Sequence, residues 1–423
     1  MIVGGSFIGL VILSVPIAFV LAICALIYIF VSGNTVLLQS FPQQLFGGLE
    51  NYGLLSLPLF ILLGEFMNVG GIGRRLMALA VAILGSVKGG LAYVNLGANM
   101  MMAAILGSTV AQITIMSRLA VPEMEKQGYP RDVSVAITAA GGLLAPIVPP
   151  SMLFIIYGVI AQLPIGDLFI AGIVPGILIF LAFLAVIGWL GHKHDFPRSE
   201  SLPLPARLRA IAEALPAALI PATIIGTILG GIAHPTESAA LGSIATIIVG
   251  AFIYRELKWR DILVAFGNAA RSSAIVLFLI ATATVFSWVI TFENIPAQVA
   301  AAMQAMTASP LVFMLMLNVL LLMIGMVTDP IPAIILIVPV MLPVATGVYG
   351  IDPVFFGVVV CVNLTLGLLT PPVGTGLFTA ALMGGVRAER LAVLLLPFFV
   401  AVLAVILLMV CFPQTVTFLP GVL

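Results

Sequence analysis

Gly141-Gly-Leu-Leu-Ala-Pro-Ile-Val-Pro-Pro-Ser151 lies in the middle of an apolar run long enough to cross a bilayer. Pro146, Pro149 and Pro150 each lack an N–H and fix φ, so a helix cannot run through them. The segment must break at membrane depth into two half-helices, expected over 133–162. Such a break is tolerated only where protein or a water-filled cavity surrounds it. In secondary transporters it places helix ends around substrate and coupling ions. Gly367-Leu-Leu-Thr-Pro-Pro-Val-Gly-Thr-Gly376 has the same design inside the apolar run 353–385, and Pro371 follows Pro149 by 222 positions.

The 423 residues are 62% hydrophobic and 8% charged, with zero net charge. A soluble protein carries about 25% charged residues. Solid apolar runs, without the alternation of a β-barrel, indicate an all-α polytopic membrane protein. Nothing points to nucleic acid, and no large soluble domain is present for capture of a ligand from water. Cys24, Cys361 and Cys411 are scattered in apolar runs without metal-ligand spacing. The first stretch, 2–31, contains Pro16 and is too long for a signal segment, so a retained membrane helix is expected.

A polar loop over 32–52 is expected next, then an apolar run over 53–68 with Glu65, and an interfacial helix over 70–90 with Arg74, Arg75 and Lys88. Legs 91–106 and 110–121 are short, and a re-entrant hairpin with its tip at Gly107-Ser108-Thr109 fits them. After the charged turn 122–132 and the broken helix come a crossing at 168–190 and the polar linker 191–213. Crossings are expected at 214–232, 238–254 and 272–291, with a basic turn at 254–261 and an interfacial segment at 292–310. A second hairpin turns at Thr328-Asp329-Pro330 between legs 311–327 and 331–347, and 391–412 is the last crossing.

At an offset of 222, Gly107 falls on Asp329, Asp167 on Glu389, Pro175 on Pro397, and the interfacial segments coincide. Agreement in order and element type indicates duplication. The units are residues 1–190 and 237–423, separated by a linker and one extra helix in 191–236. An odd number of crossings between equivalent points inverts the second copy. Charge agrees: with the linker in the cytoplasm, segments 70–90, 118–132, 191–213, 255–271 and 386–390 fall on the same side and hold all 16 Lys and Arg. Glu50, Asp167, Glu237, Glu293 and Asp352 fall outside. The N-terminus is then cytoplasmic and the C-terminus periplasmic.

The two hairpin tips and two breaks should meet near the midplane. Unpaired carbonyls suit Na⁺, and helix N-termini suit a carboxylate. The hydroxyls of Ser108, Thr109, Ser151, Thr370 and Thr375 could add ligands, or could simply cap the second half-helices. Asp329, an acid inside the membrane, could ligate the ion or cap the helix that begins with Pro330. Glu65 reads as scaffold, able to pair with Arg74 or Arg75. His234-Pro-Thr-Glu237 reads as a helix start.

These residues resemble the large membrane subunit of tripartite ATP-independent periplasmic (TRAP) transporters, the DctM-like family. The motifs are Pro122-Glu-Met with Gly128-Tyr129, Ala145-Pro-Ile-Val-Pro-Pro-Ser151, Pro235-Thr-Glu-Ser-Ala-Ala240, Tyr254-Arg-Glu-Leu257, Pro332-Ala-Ile-Ile-Leu-Ile-Val-Pro339, and Gly350-Ile-Asp-Pro353 through Gly374. The resemblance implies a bacterial inner-membrane carrier of a small organic acid, driven by Na⁺ and using no other cofactor. It implies an elevator motion of transport elements against a scaffold, a small four-helix membrane subunit, and a periplasmic substrate-binding protein. Carried onto this chain, one Na⁺ site falls at Gly107, Ser108, Ala145, Val148 and Pro149. The other falls at Gly325, Val327, Asp329, Gly367 and Thr370. Substrate would lie between them, at Ser108, Thr109, Ser151, Asn363 and Thr375. The first tip departs from the family pattern: Gln112 stands where the family carries an Asp.

A self-sufficient carrier or antiporter is the nearest alternative. An intramembrane enzyme fits poorly. His192 and His194 lie in the linker and His234 at the opposite interface, so none reaches a midplane serine as general base.

Overall fold

The computed structural model describes residues 2–33, 36–84, 89–197 and 203–422. Lys88, Arg198 and the parts of the expected interfacial segment and linker that contain them lie outside the described residues. The described residues form helices and no strands. In chain order they are α1 Ile2–Ile12, α2 Ile17–Val31, α3 Leu37–Gly47, α4 Ser56–Val69, α5 Ile72–Leu84, α6 Gly90–Leu106, α7 Thr109–Leu119, α8 Val121–Lys126, α9 Arg131–Gly142, α10 Met152–Ala161 and α11 Ile165–Lys193. There follow α12 Leu204–Leu229, α13 Pro235–Ile248, α14 Trp259–Phe292, α15 Ile295–Met306, α16 Pro310–Gly325, α17 Pro330–Gly347, α18 Pro353–Gly367, α19 Thr375–Gly384, α20 Ala388–Cys411 and α21 Gln414–Thr417. Among the described residues seven helices are long and apolar enough to cross a membrane, or eight if the α15–α16 pair, bent by 116°, is one span. The chain is a multi-pass membrane protein.

Both proline stretches break their helices. α9 stops at Gly142 and α10 starts at Met152; α18 stops at Gly367 and α19 starts at Thr375. The Pro149–Pro150 and Pro371–Pro372 bonds are both cis. Both hairpins turn at their expected tips, with α6 and α7 flanking Gly107-Ser108 and α16 and α17 flanking 326–329. The paired elements keep the spacing of 222: α5 with α15, α6 with α16, α7 with α17, α9 with α18, α10 with α19, and α11 with α20.

Three expectations are corrected. The run 2–31 is not one helix, because Ser14 (φ 59°) and Pro16 divide it into α1 and α2. The stretch 32–52 is not simply a loop, for it contains α3 and the start of a 3₁₀ turn, Tyr52–Leu55. Phe41 and Leu45, one turn apart, carry α3 onto Val285, Trp288 and Val289 of α14. The crossing 272–291 is the apolar part of α14, whose 34 residues run back to Trp259 through most of the expected basic segment. At 1.5 Å per residue this helix is about 51 Å long, well beyond the hydrocarbon core of about 30 Å. Asp261, in its first turn, reaches back to the N-cap, its carboxylate accepting from the Lys258 N–H at 3.1 Å.

The local reason for one difference between the halves is plain. Gly47-Gly48-Leu49-Glu50-Asn51 separates α3 from α4, with Asn51 Oδ1 accepting from Gly53 N at 2.8 Å. At the same spacing the second half has Ala269-Ala-Arg-Ser-Ser273, which lets α14 continue.

α2, α4, α12, α13 and α14 pack among themselves. The hairpins and broken helices form a second assembly, in which α18 is buried from Phe355 to Gly367. Glu65 is not paired with Arg74 or Arg75: it accepts a hydrogen bond from Asn268 at 3.3 Å. Both arginines instead hold Glu256, and the Arg75 guanidinium also lies 3.6 Å over the Tyr254 ring. The helix start at His234 is as expected, with Glu237 accepting from the His234 N–H at 3.0 Å.

Candidate functional site

At the first tip Gly107 adopts φ 58°, a left-handed turn that favours glycine, and Ser108 is the extended N-cap of α7. A Cβ on Gly107 would lie 3.2 Å from Met152 Cγ and 3.7 Å from the Pro150 carbonyl oxygen. The tip therefore rests on the break between α9 and α10. Residues 143–151 of that break are all buried. The carbonyls of Ala145, Val148 and Pro149 accept no hydrogen bond within the described chain. Buried carbonyls are normally partnered, so this cluster suits a cation. Ser151 is occupied: its hydroxyl donates to the Pro146 carbonyl and accepts from Phe154 N at 3.3 Å. It acts as the cap of α10.

The second tip approaches its own break more closely. A Cβ on Gly367 would lie 2.4 Å from Gly325 C, and one on Gly325 would lie 3.1 Å from the Leu364 carbonyl oxygen. The Met326 carbonyl accepts from both Val373 N and Gly374 N at 3.2 Å. The carbonyls of Gly325, Val327 and Thr370 accept no hydrogen bond within the described chain. Thr370 donates its hydroxyl proton to the Leu366 carbonyl at 2.9 Å, which leaves its oxygen lone pairs for a cation. Asp329 stands at the N-cap position of α17 and is exposed. Val327 is 58% exposed, and Pro371, Pro372 and Val373 are exposed too. The first tip is thus enclosed and the second is open.

Between the tips two helix N-termini converge. α7 packs against α19, and Ile113 Cδ1 would lie 3.5 Å from a Cβ on Gly376. Thr109 and Thr375 are the first residues of these helices, and each has a buried hydroxyl without a partner. The first hydrogen bond of α7 is Gln112 N to the Ser108 carbonyl, so the N–H groups ahead of it remain for an acceptor. Paired helix N-termini with free hydroxyls can hold an oxyanion. Asn363 sits a turn inside α18, donating to Asn318 Oδ1 at 2.6 Å while its own Oδ1 has no partner.

Sequence reasoning passed over a buried amide chain behind the first tip. Gln112 Nε2 donates to the Asn99 carbonyl and Oδ1, both at 2.9 Å, and to the Gly141 carbonyl at 3.2 Å. Asn99 donates to Asn95 Oδ1 at 2.8 Å, and Asn95 to Thr138 Oγ1 at 2.7 Å. Asn95, Asn99, Gln112 and Thr138 are at most 1% exposed. The chain ties both legs of the hairpin to the last turn of α9. Asn95 and Asn99, one turn apart in an apolar leg, are the signal that was available. A cavity of about 660 Å³ lies elsewhere, lined by Asn51, Gln162, Asp167 and His234 among others, and includes no tip residue.

At the cation-rich end, partial desolvation opposes ionisation of Glu256, but Arg75 and Arg74 outweigh it and hold its carboxyl below the ordinary carboxylate range.

Residues 5–415 match the family model of the tripartite ATP-independent periplasmic transporter, DctM component. The chain is 38% identical over 418 residues to the isethionate TRAP transporter permease protein of Oleidesulfovibrio alaskensis, covering 99% of this chain and 66% of that protein. It is 35% identical to the sialic acid TRAP transporter permease protein of Haemophilus influenzae, covering 97% of this chain and 66% of that protein. The chain thus spans just under two thirds of the length of these relatives. In fold it is similar to the crystal structure of the Alcanivorax borkumensis YdaH transporter, with a TM-score of 0.68 at 15% identity, covering 90% of this chain and 88% of that one. With two proline-broken helices, two hairpins and a match along nearly its whole length, the chain belongs to the family of DctM components of tripartite ATP-independent periplasmic transporters.

Proposed function

We propose that the chain is the large permease of a bacterial inner-membrane transporter that couples inward movement of Na⁺ to uptake of a small organic acid. The observation that carries this is the pairing of tip and break in each half. Each pair gathers carbonyls without donors, and the N-termini of α7 and α19 lie between. One Na⁺ would sit among Gly107, Ser108, Ala145, Val148 and Pro149, the other among Gly325, Val327, Asp329, Gly367 and Thr370. The acid would sit at Ser108, Thr109 and Thr375, with Ser151 and Asn363 bracing the helices around it. Isethionate and sialic acid, named for the two relatives, are both small organic acids.

Residues 1–190 and 237–423 act as inverted halves, with the N-terminus cytoplasmic and the C-terminus periplasmic. The hairpins and broken helices move as a unit against the α2–α4–α12–α13–α14 scaffold. A small four-helix subunit packs on that scaffold, and a periplasmic binding protein delivers the substrate. Support for these partners is the length of the relatives beyond the matched region and the tripartite family description.

The test is uptake into vesicles containing the chain and its small subunit, with the binding protein outside and a panel of organic acids. Asp329→Ala and Thr370→Ala should reduce Na⁺-driven uptake far more than membrane insertion. Unchanged Na⁺ dependence in both variants would remove these residues from the ion site.

A further inference from the structure

α11 and α20 occupy equivalent places in the two halves and pack side by side, with the Phe183 and Phe398 rings edge to face at 5.3 Å. Pro397 lies inside α20, where its ring and missing N–H disturb the helix. A groove of about 540 Å³ opens beside it, lined by Ala185, Val186, Trp189, Leu396, Pro397 and Val400. Trp189, Leu396 and Val400 are each more than half exposed, at 53%, 55% and 60%. At Trp189 the groove meets a second cavity, of about 520 Å³, whose lining includes Tyr93, Gly191, His192 and Phe196. Lys193 Nζ stands 5.2 Å over the Trp189 ring. Among the described residues, no acid lines either cavity.

An apolar groove thus leads to a tryptophan, beside which stand an ammonium, an imidazole and a phenol. Tryptophan and lysine take these positions where hydrocarbon gives way to headgroups. We propose that the groove binds an anionic glycerophospholipid, with an acyl chain along Pro397 and its phosphate at Lys193 and His192.

The duplicated chain supplies its own comparison. Moved by 222 positions, Trp189 becomes Cys411, His192 becomes Gln414 and Lys193 becomes Thr415, although Pro175 stands where Pro397 does. The proline is shared and the headgroup residues are not. Recognition is therefore confined to the membrane face that carries the cations. It does not depend on which acid is transported.

The test uses the full chain with Trp259→Phe and Trp288→Phe, leaving Trp189 as its one tryptophan, in phosphatidylethanolamine vesicles. Brominated phosphatidylglycerol or brominated phosphatidylethanolamine is added as a minor component to quench Trp189 emission. One ammonium beside an anionic headgroup favours it about fivefold, so the brominated anionic lipid should quench at about one fifth of the fraction the zwitterionic one needs. Lys193→Glu should abolish this preference. Val186→Phe, which fills the groove from within, should lower quenching by both lipids and replaces the first variant if that one fails to insert. Equal quenching by the two lipids in the parent chain, or a preference that survives Lys193→Glu, would overturn the proposal.

Discussion

Gly367→Ala addresses the close backbone approach at the second tip. The new Cβ would lie 2.4 Å from Gly325 C, 2.6 Å from its Cα and 2.7 Å from its carbonyl oxygen. These are backbone atoms and cannot turn aside as a side chain can. Ordinary contact requires α16 and α18 to part by about 1 Å, and overpacking of this kind costs about 1–3 kcal/mol. Against it, alanine is favoured over glycine inside a helix by at most about 1 kcal/mol. The net penalty, up to about 2 kcal/mol with the full offset, falls on the tip-and-break pair. It also stretches the bonds from Val373 N and Gly374 N to the Met326 carbonyl, already 3.2 Å long. If the cation needs that pair closed, its binding weakens by up to about 30-fold. The assay is the Na⁺ concentration dependence of uptake in vesicles, where the half-saturating concentration should rise by that factor. Gly347→Ala, with nothing within 4 Å of the new methyl, is the matched control and should leave it unchanged. A normally inserted Gly367→Ala protein with wild-type Na⁺ dependence would refute the reasoning.

Gln112→Leu should leave Asn99 Oδ1 without its donor, at about 1–3 kcal/mol for a buried group left unsatisfied, while the Gly141 carbonyl keeps the Leu144 N–H at 3.1 Å. A thermal midpoint lower by several degrees checks this, and an unchanged midpoint would show the amide chain to be dispensable. The Glu256 carboxyl is held below the unfolded value of about 4.3 by its arginines, so its contribution is present above that value and is lost as pH falls through the lower, folded one. Glu256→Gln should therefore show a smaller loss of thermal stability on acidification below about pH 4.3 than the parent, and high salt should narrow the gap because these side chains are partly exposed. A cysteine at Arg131 and one at Asp352 should react with impermeant reagents from opposite faces of the membrane; reaction from a common face would end the inverted arrangement.

The parts legible in the sequence are those set by covalent constraint. Pro146, Pro149 and Pro150 exclude a continuous helix whatever surrounds them, and Pro371 and Pro372 do so again at the same spacing. Gly107 and Ser108 could be placed at a tip because neither adjoining leg is long enough to span. What escaped depends on distance across the fold. Arg75 meets Glu256 rather than Glu65, a choice between residues 181 and 10 positions away that no local pattern ranks. Hydropathy locates the membrane part of α14 but carries no signal for where a helix ends once it has left the lipid. The hydroxyl of Ser151 was legible as a polar group beside the break, but only its geometry shows that the Pro146 carbonyl and Phe154 N already engage it. Asn99 and Gln112 were visible as polar residues, yet their bond joins two legs that face each other only after the tip has turned.

If the proposed sites hold a cation and an acid, their coupling would follow from which halves touch. Each tip meets the break of its own half, Gly107 beside Pro150 and Gly325 against Gly367. The second leg of each hairpin, however, packs on the resumed helix of the other half: α7 on α19, and α17 on α10. A cation at one tip would therefore fix a leg that the opposite break leans on. Thr109 and Thr375 lie where α7 meets α19, so an acid held there would span both halves, while each proposed cation would be held within one. Interiors packed to crystal-like density transmit a displacement of this kind rather than absorbing it. Removing the cation at the second tip should then loosen the Thr375 end of the acid site, and removing the one at the first tip should loosen the Thr109 end. On the proposed reading, acid affinity would then depend on both cations through contacts that neither cation makes directly.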